Sequence, residues 1–377
     1  MQAKRLHLVL LVFVAIVAAL TDCGRERSFT MTKKNGVRIV HNLRPAAPEA
    51  RARLEFVRQI GKLETDVKEE MFAFPIHAAR DGAGNLYVLD SKDHVVKKFD
   101  RDGRYLLQFG RHGQGPGEFQ YPMMVGVAGR DRLVVQSMDS AFQVFDFDGR
   151  FVASFRLDSY EGLFMKGMGS GRVVGYAMNP RGENLPENKI LKVFDLQGKV
   201  LHHFGEPLLL ATVMNSWNAN FQSLAVDDED FIYAAFTYQN RIEKYAPDGT
   251  LLMTIDRPLP YPVEHKTVKE TMEIGGRARE IERLKSTLVS RGIGVDSRRR
   301  MWVLTASREI PETITRDDFV PQDYIVFEVY DPDGVLTGYA PLPEVLKSFD
   351  NFIMSGDSVF FLDPYGECCV FEFSVKN

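Results

Sequence analysis

Between Phe74 and Gly110 the chain reads FPIHAARDGAGNLYVLDSKDHVVKKFDRDGRYLLQFG, four short apolar runs separated by turn residues. Ile76 to Ala79 closes at Asp81-Gly82-Ala83-Gly84-Asn85, and Leu86 to Leu89 closes at Asp90-Ser91-Lys92-Asp93. Val95 to Phe99 closes at Asp102-Gly103, and Tyr105 to Phe109 at Gly110. Runs of this length joined by hairpin-type turns predict a four-stranded antiparallel meander. One such sheet cannot cover both of its apolar faces, so it needs copies of itself as neighbours.

The copies follow along the chain. An aromatic residue precedes a glycine by four positions at Phe99/Gly103, Phe145/Gly149, Phe194/Gly198, Tyr245/Gly249 and Tyr330/Gly334. The aromatic is expected to pack between sheets, and the glycine to supply the positive φ of the turn into the fourth strand. Successive glycines stand 46, 49, 51 and 85 residues apart. The first three spacings match one propeller blade, and insertions at 258–287 and 308–322 account for the fourth. Thr267 to Leu288 reads as a charged helix with apolar Met272, Ile281, Leu284 and Leu288, and Arg308 to Gln322 as an irregular loop.

A sixth copy has only three strands, Asp350 to Met354, Val359 to Leu362 and Cys368 to Phe373. The missing fourth has a counterpart before the first blade, because Leu54 to Ile60 reads like Tyr105 to Phe109. A ring closed by this N-terminal strand leaves no open sheet edge. Residues 51–377 are therefore expected to be all-β, a six-bladed β-propeller of four-stranded antiparallel blades.

Lys4 and Arg5 precede an apolar run from Leu8 to Leu20. As a helix that run would measure about 20 Å, short of the roughly 30 Å hydrocarbon core, which fits an export signal over 1–23. Leu20-Thr21-Asp22-Cys23 resembles the lipobox of bacterial lipoproteins, although Asp22 departs from the small neutral residue preferred there. The resemblance implies lipidation of Cys23 and a chain anchored to the cell envelope, on the periplasmic or outer-surface side. Residues 24–50 are polar and proline-containing and read as a tether with one strand candidate, Val37 to His41.

Gly110-Arg111-His112-Gly113-Gln114-Gly115-Pro116-Gly117-Glu118-Phe119-Gln120-Tyr121-Pro122 resembles the linker between NHL repeats, and Asn85 to Ser91 resembles the repeat core. Together with the lipobox, the chain is similar to six-bladed propeller lipoproteins of bacteria. These motifs are structural, so the resemblance speaks to fold far more than to function.

The formal charge of −4 and pI of about 6.1 give no basic footprint for nucleic acid. Arg298-Arg299-Arg300 reads as an exposed turn. The first strand of each blade lines a propeller's channel, and alignment on His77 gives His77, Met124, Met165, Ser223, Gly292 and Asn351. One step earlier stand Ile76, Met123, Phe164, Gln222, Arg291 and Asp350. One histidine and one carboxylate there fall short of a zinc site, so no metal and no cofactor are expected. The glycine-rich 110–117 segment lacks the Gly-Lys-Ser/Thr of a phosphate loop, and no G-x-S-x-G elbow occurs. Cys368 and Cys369 are expected to be two separately buried thiols.

Insertions confined to particular blades suggest recognition. The first functional expectation is a monomeric, non-catalytic binding module for an envelope protein, peptide or glycan. Its contacts would come from Tyr261, Trp217, Tyr324, Arg277 and Arg279. The second is a lyase or hydrolase at the channel mouth using His77, Asp350 and Arg291. The third is a structural member of an envelope complex.

Overall fold

The computed structural model describes residues 27–48, 52–62, 67–138, 140–157, 164–177, 189–274, 277–311, 313–316 and 318–376, with only the backbone given for 272–274, 277, 279 and 281. Twenty-eight strands in these residues form six blades and one separate hairpin. The first blade holds β4 (Pro75–Arg80), β5 (Leu86–Asp90), β6 (Val95–Phe99) and β7 (Tyr105–Phe109). The second holds β8 (Pro122–Ala128), β9 (Arg132–Ser137), β10 (Ala141–Asp146) and β11 (Phe151–Arg156). The third holds β12 (Lys166–Gly167), β13 (Val173–Tyr176), β14 (Leu191–Phe194) and β15 (Val200–Phe204). The fourth is built on β16 (Gln222–Val226), β17 (Ile232–Phe236), β18 (Ile242–Tyr245) and β19 (Leu251–Asp256). The fifth holds β22 (Ser290–Val295), β23 (Met301–Ala306), β24 (Ile325–Tyr330) and β25 (Leu336–Pro341).

The last blade consists of β26 (Asn351–Ser355), β27 (Ser358–Asp363), β28 (Cys369–Lys376) and, from the other end of the chain, β3 (Arg53–Ile60). β3 runs antiparallel to β28 from Val370↔Ile60 to Lys376↔Arg53. Ile60 is buried in a cluster with Phe72, Val88 and Phe360, which joins the last blade to the first. The ring is thus closed by the expected N-terminal strand.

The repeated aromatic and glycine perform linked tasks. Phe99, Phe145, Phe194, Tyr245 and Tyr330 are all buried. Gly149 has φ +79°, and a Cβ there would stand 2.6 Å from Cδ1 of Phe109, in the fourth strand of the preceding blade. The glycine therefore serves both the turn and the seam between blades. The turn after each first strand is fastened by an aspartate in three blades. Asp81 Oδ1 accepts the N–H groups of Ala83 and Asn85 at 2.9 Å, while the Tyr87 hydroxyl donates to Oδ2 at 3.0 Å. Asp227 with Tyr233, and Asp296 with Trp302, repeat this arrangement. Asp-x5-aromatic is thus a local fastener that satisfies backbone donors and a buried aromatic donor together.

Two expectations require correction. Residues 267–288 are not helical: β20 (His265–Ile274) and β21 (Arg277–Ser286) form a two-stranded hairpin, in register from His265↔Ser286 to Ile274↔Arg277. The sequence between them, Gly275-Gly276, is a hairpin signal that disfavours a helix, and four apolar residues at helical spacing do not outweigh it. The tether is also structured from β1 (Phe29–Lys34) to β2 (Val37–Asn42). β2 pairs in parallel with β19, and its Val40 is fully buried, so the fourth blade carries six strands. The strand candidate at Val37 to His41 falls within β2. Residues 1–26, with Cys23, lie outside the described residues.

Cys368 and Cys369 are free and buried. Burial and the nearby Asp363 push the Cys369 thiol far above its ordinary range, so it stays protonated.

Candidate functional site

The connections of the propeller are unequal on its two faces. On one face every described turn between first and second, or third and fourth, strands is short, as at 81–85 or 100–104. The other face carries the long connections, among them 110–121, 205–221, 257–289 and 307–324. A cavity of about 470 Å³ opens on that second face, at the channel mouth. A rigid scaffold with its long loops gathered around one opening is the arrangement expected of a recognition face.

Inner strands supply most of the polar lining: His77 from β4, Lys166 from β12, Gln222 and Ser223 from β16, and Arg291 from β22. Asp350 and Asn351 come from the start of β26, and Thr237 and Tyr238 from the end of β17. Phe164, Phe221, Phe352, Met124 and Leu288 make the apolar part. Phe164 stands edge-on to Phe221 at 5.5 Å, and Phe221 to Trp217 at 4.4 Å. Trp217 lies on α1 (Val213–Ala219), whose Thr212 cap accepts the Asn215 N–H at 3.1 Å.

His77 is buried at 2% exposure. Its Nδ1 accepts the backbone N–H of Val125, in the next blade, at 3.4 Å. An accepting Nδ1 on a neutral ring leaves the hydrogen on Nε2, and Nε2 has no partner. Burial, and then the charge of Lys166, lower the imidazole pKa well below its ordinary value, so the ring is neutral near pH 7. Gln222, also 2% exposed, has neither amide atom bonded. Two buried polar side chains with unspent hydrogen-bonding capacity thus face one cavity, an arrangement that costs stability until something fills it.

Sequence alignment of the inner strands puts Met165 at the channel. The structure buries Met165 in the seam between blades and turns Lys166 inward. Pairing of first and second strands shows why this is unusual. Lys166↔Val174 corresponds to Ala79↔Tyr87, Gly126↔Val134, Ala225↔Tyr233, Gly294↔Trp302 and Ile353↔Phe360. Five blades have a small or apolar residue at this position and the third has a lysine. Burial lowers the Lys166 pKa to about 8. Matching Gly167 to Gly126 is what hides it: the Met168–Arg172 turn is the counterpart of Asp81–Asn85, and registering the third blade on that turn sets Lys166 level with Ala79 and Gly126.

Arg291 also lines the mouth, with its guanidinium carbon 5.7 Å from the Phe349 ring centre. Burial lowers its pKa, opposed by the charge of Asp350. Among the described residues neither Lys166 nor Arg291 forms a salt bridge, and Asp350 is exposed at the rim. His77, Arg291 and Asp350 thus share one cavity, as the alignment predicts. Among the described residues no group of three or more His, Cys, Asp or Glu is arranged to hold a metal ion.

The residues expected to make loop contacts are dispersed. Tyr261 must be withdrawn as a contact residue: it is buried at 9% exposure, and its hydroxyl donates to the carbonyls of Ala306 at 2.8 Å and Leu288 at 3.3 Å. Its task is to hold the base of the hairpin insertion against the fifth blade. Trp217 is half-buried and packs on Phe221 and Tyr176, behind the mouth. Tyr324 stacks on Phe319 at 5.5 Å with Arg308 over its ring at 4.5 Å, away from the cavity lining. Arg277 and Arg279 lie on β21, and only their backbone is described.

Fold and site together define a six-bladed propeller with a polar, cation-bearing channel mouth on its long-loop face. The chain belongs to the DUF5128 family of six-bladed beta-propellers, whose sequence profile matches residues 53–254. A 150-residue stretch is 29% identical to the protein brain tumor of Drosophila melanogaster, covering 38% of this chain and 13% of that protein. Among solved structures, a DUF4221 member from Bacteroides vulgatus is similar, with a TM-score of 0.58 at 9% identity, over 86% of this chain and 98% of that one. A protein from Bacteroides fragilis described as exported gives a TM-score of 0.53 at 11% identity, over 89% and 97%. At such identities the likeness is one of fold. Among the described residues no helix is long and apolar enough to cross a membrane.

Proposed function

We propose that this chain is an exported propeller, tethered to the membrane through Cys23, that binds an envelope peptide or glycan at its channel mouth without transforming it. The observation that carries the reading is the set of buried polar atoms without a partner, His77 Nε2 and both amide atoms of Gln222, on side chains facing a cavity on the long-loop face. Such groups fit a ligand that completes their hydrogen bonds. Catalysis has weaker support. His77 is bonded to a backbone amide and not to a carboxylate or hydroxyl, so it lacks both an orienting acid and a nucleophile to activate. The hairpin insertion reaches the site through Leu288, which follows it and lines the mouth.

The test pairs fractionation with capture. The full chain expressed in a bacterium with an outer membrane should sediment with membranes and carry acyl mass on Cys23, whereas Cys23→Ser should be soluble. Immobilised chain should retain an envelope peptide or glycan that is recovered uncleaved. Membrane association equal in both forms would overturn the anchor. Release of cleaved ligand would overturn the non-catalytic reading.

A further inference from the structure

The chemistry of the mouth narrows the ligand, on the reading that the mouth is a binding site. Its titratable and charged groups are His77, Lys166, Tyr238, Arg291 and Asp350, contributed by five inner or adjoining segments. Two are cations without a salt bridge, one is a neutral imidazole presenting Nε2–H, and the single carboxylate stands exposed at the rim. Gln222 adds a buried amide with both atoms unspent, and Ser223 and Asn351 add further polar groups to the lining. The donor-rich lining has an excess of positive charge, and a half-buried cation without a salt-bridge partner is costly. An incoming anion supplies that counter-ion.

The body of the ligand is set by the opposite wall. Phe164, 39% exposed, and Phe221 stand edge-to-face, with Trp217 behind them. Exposed aromatic rings beside charged donors suit a ring-sized body that can lie on them. A cavity of about 470 Å³ accommodates one or two rings, so of a peptide or glycan only a terminal unit enters it.

We infer that the channel mouth binds a small organic carboxylate, its acid group held by Lys166 and Arg291 with His77 Nε2–H and Gln222, and its ring body against Phe164 and Phe221. Cation-to-carboxylate hydrogen bonds in a partly desolvated site are stronger than neutral ones, and the empty-site penalty of the unpaired donors is relieved at the same time. A carboxylate on a ring can come from an acidic sugar or from an aromatic acid, and the same donors serve both.

Titration of the full chain, followed by calorimetry and by the fluorescence of Trp217 behind the aromatic wall, separates these cases. The probes are galacturonate, benzoate, neutral galactose and inorganic sulfate. Galacturonate or benzoate is expected to saturate one site, with galactose at least tenfold weaker. Binding by galacturonate alone assigns an acidic sugar, and by benzoate alone an aromatic acid. Lys166→Met and Arg291→Gln should each weaken the carboxylate at least tenfold and leave the far-ultraviolet circular dichroism unchanged. Galactose binding as tightly as galacturonate would overturn the carboxylate inference while leaving the binding site itself standing. Sulfate binding as tightly as either carboxylate would show an adventitious ion only, and would overturn it too. Carboxylate affinity unchanged in both variants, or no binding by any probe, would also overturn it. The capture experiment above then decides separately whether the mouth binds anything.

Discussion

A Cβ placed on Gly149 would meet Cδ1 of Phe109 at 2.6 Å, and that single approach joins the turn of the second blade to the outer strand of the first. Gly149→Ala therefore adds a steric clash to the conformational cost of φ +79°. Gly36 has φ +86°, and a Cβ added there would have nothing within 4 Å, so Gly36→Ala carries the conformational cost alone. Denaturant unfolding should show Gly149→Ala destabilised by about 2–4 kcal/mol and Gly36→Ala by about 1 kcal/mol. Equal losses would mean that the seam yields and only φ matters.

Asp296, like Asp81, accepts four hydrogen bonds on its carboxylate. It accepts the N–H groups of Arg298 and Arg300, the Nε–H of Arg300 at 2.6 Å and the indole N–H of Trp302 at 3.0 Å. Asp296→Ala leaves a buried indole donor and two turn amides unpaired, and should cost about 2–3 kcal/mol in chemical unfolding. A loss below about 1 kcal/mol would show that water replaces the carboxylate.

The N-terminal strands predict graded truncations. Starting the chain at residue 35 removes β1, an outermost strand paired only with β2. Starting it at residue 52 also removes β2 and the buried Val40, uncovering β19. Starting it at residue 62 removes β3 and opens the ring. Thermal melts should fall slightly, then moderately, and then lose their cooperative transition. A sharp transition for the third form would contradict closure by β3.

Lys166 gives a pH dependence of definite sign. Its pKa in the folded chain is about 8, while an unfolded lysine titrates near about 10.4. Between these values the unfolded chain holds a proton that the folded chain has lost, so this residue makes stability rise with pH across that window. Lys166→Met should abolish that rise and raise Tm at pH 7, because an unpaired cation leaves an apolar position. Carboxylate binding has the opposite slope. It uses the protonated amine and should weaken as pH climbs above about 8, facing His77, Arg291 and Asp350. A flat affinity between pH 7 and 9 would remove Lys166 from the site.

The propeller is legible in the sequence because its devices are local and repeated. Phe99 with Gly103 and its four counterparts mark the blades, and Leu54 to Ile60 reads as an outer strand wherever it sits in the chain. The β20–β21 hairpin reads as a helix because its two long strands place charged and apolar residues in no clear alternation, and only Gly275-Gly276 marks the turn. The β1–β2 hairpin escapes a sequence reading for a different reason. Its docking depends on the free edge of β19, a tertiary fact that no local pattern carries. At the site, His77, Arg291 and Asp350 follow from strand alignment. Lys166 does not, because β12 is only two residues long and its register is set by partners in β13. Tyr261 looks available by composition and is instead spent on two carbonyls.

The most direct test of binding without turnover at the channel mouth is native mass spectrometry of the full chain purified from cells of its own source, beside Lys166→Met. The wild type should carry a small acidic ligand at one per chain, released intact on denaturation, and the variant should not. Equal occupancy of both proteins, or recovery of the ligand as cleaved fragments, would contradict the account.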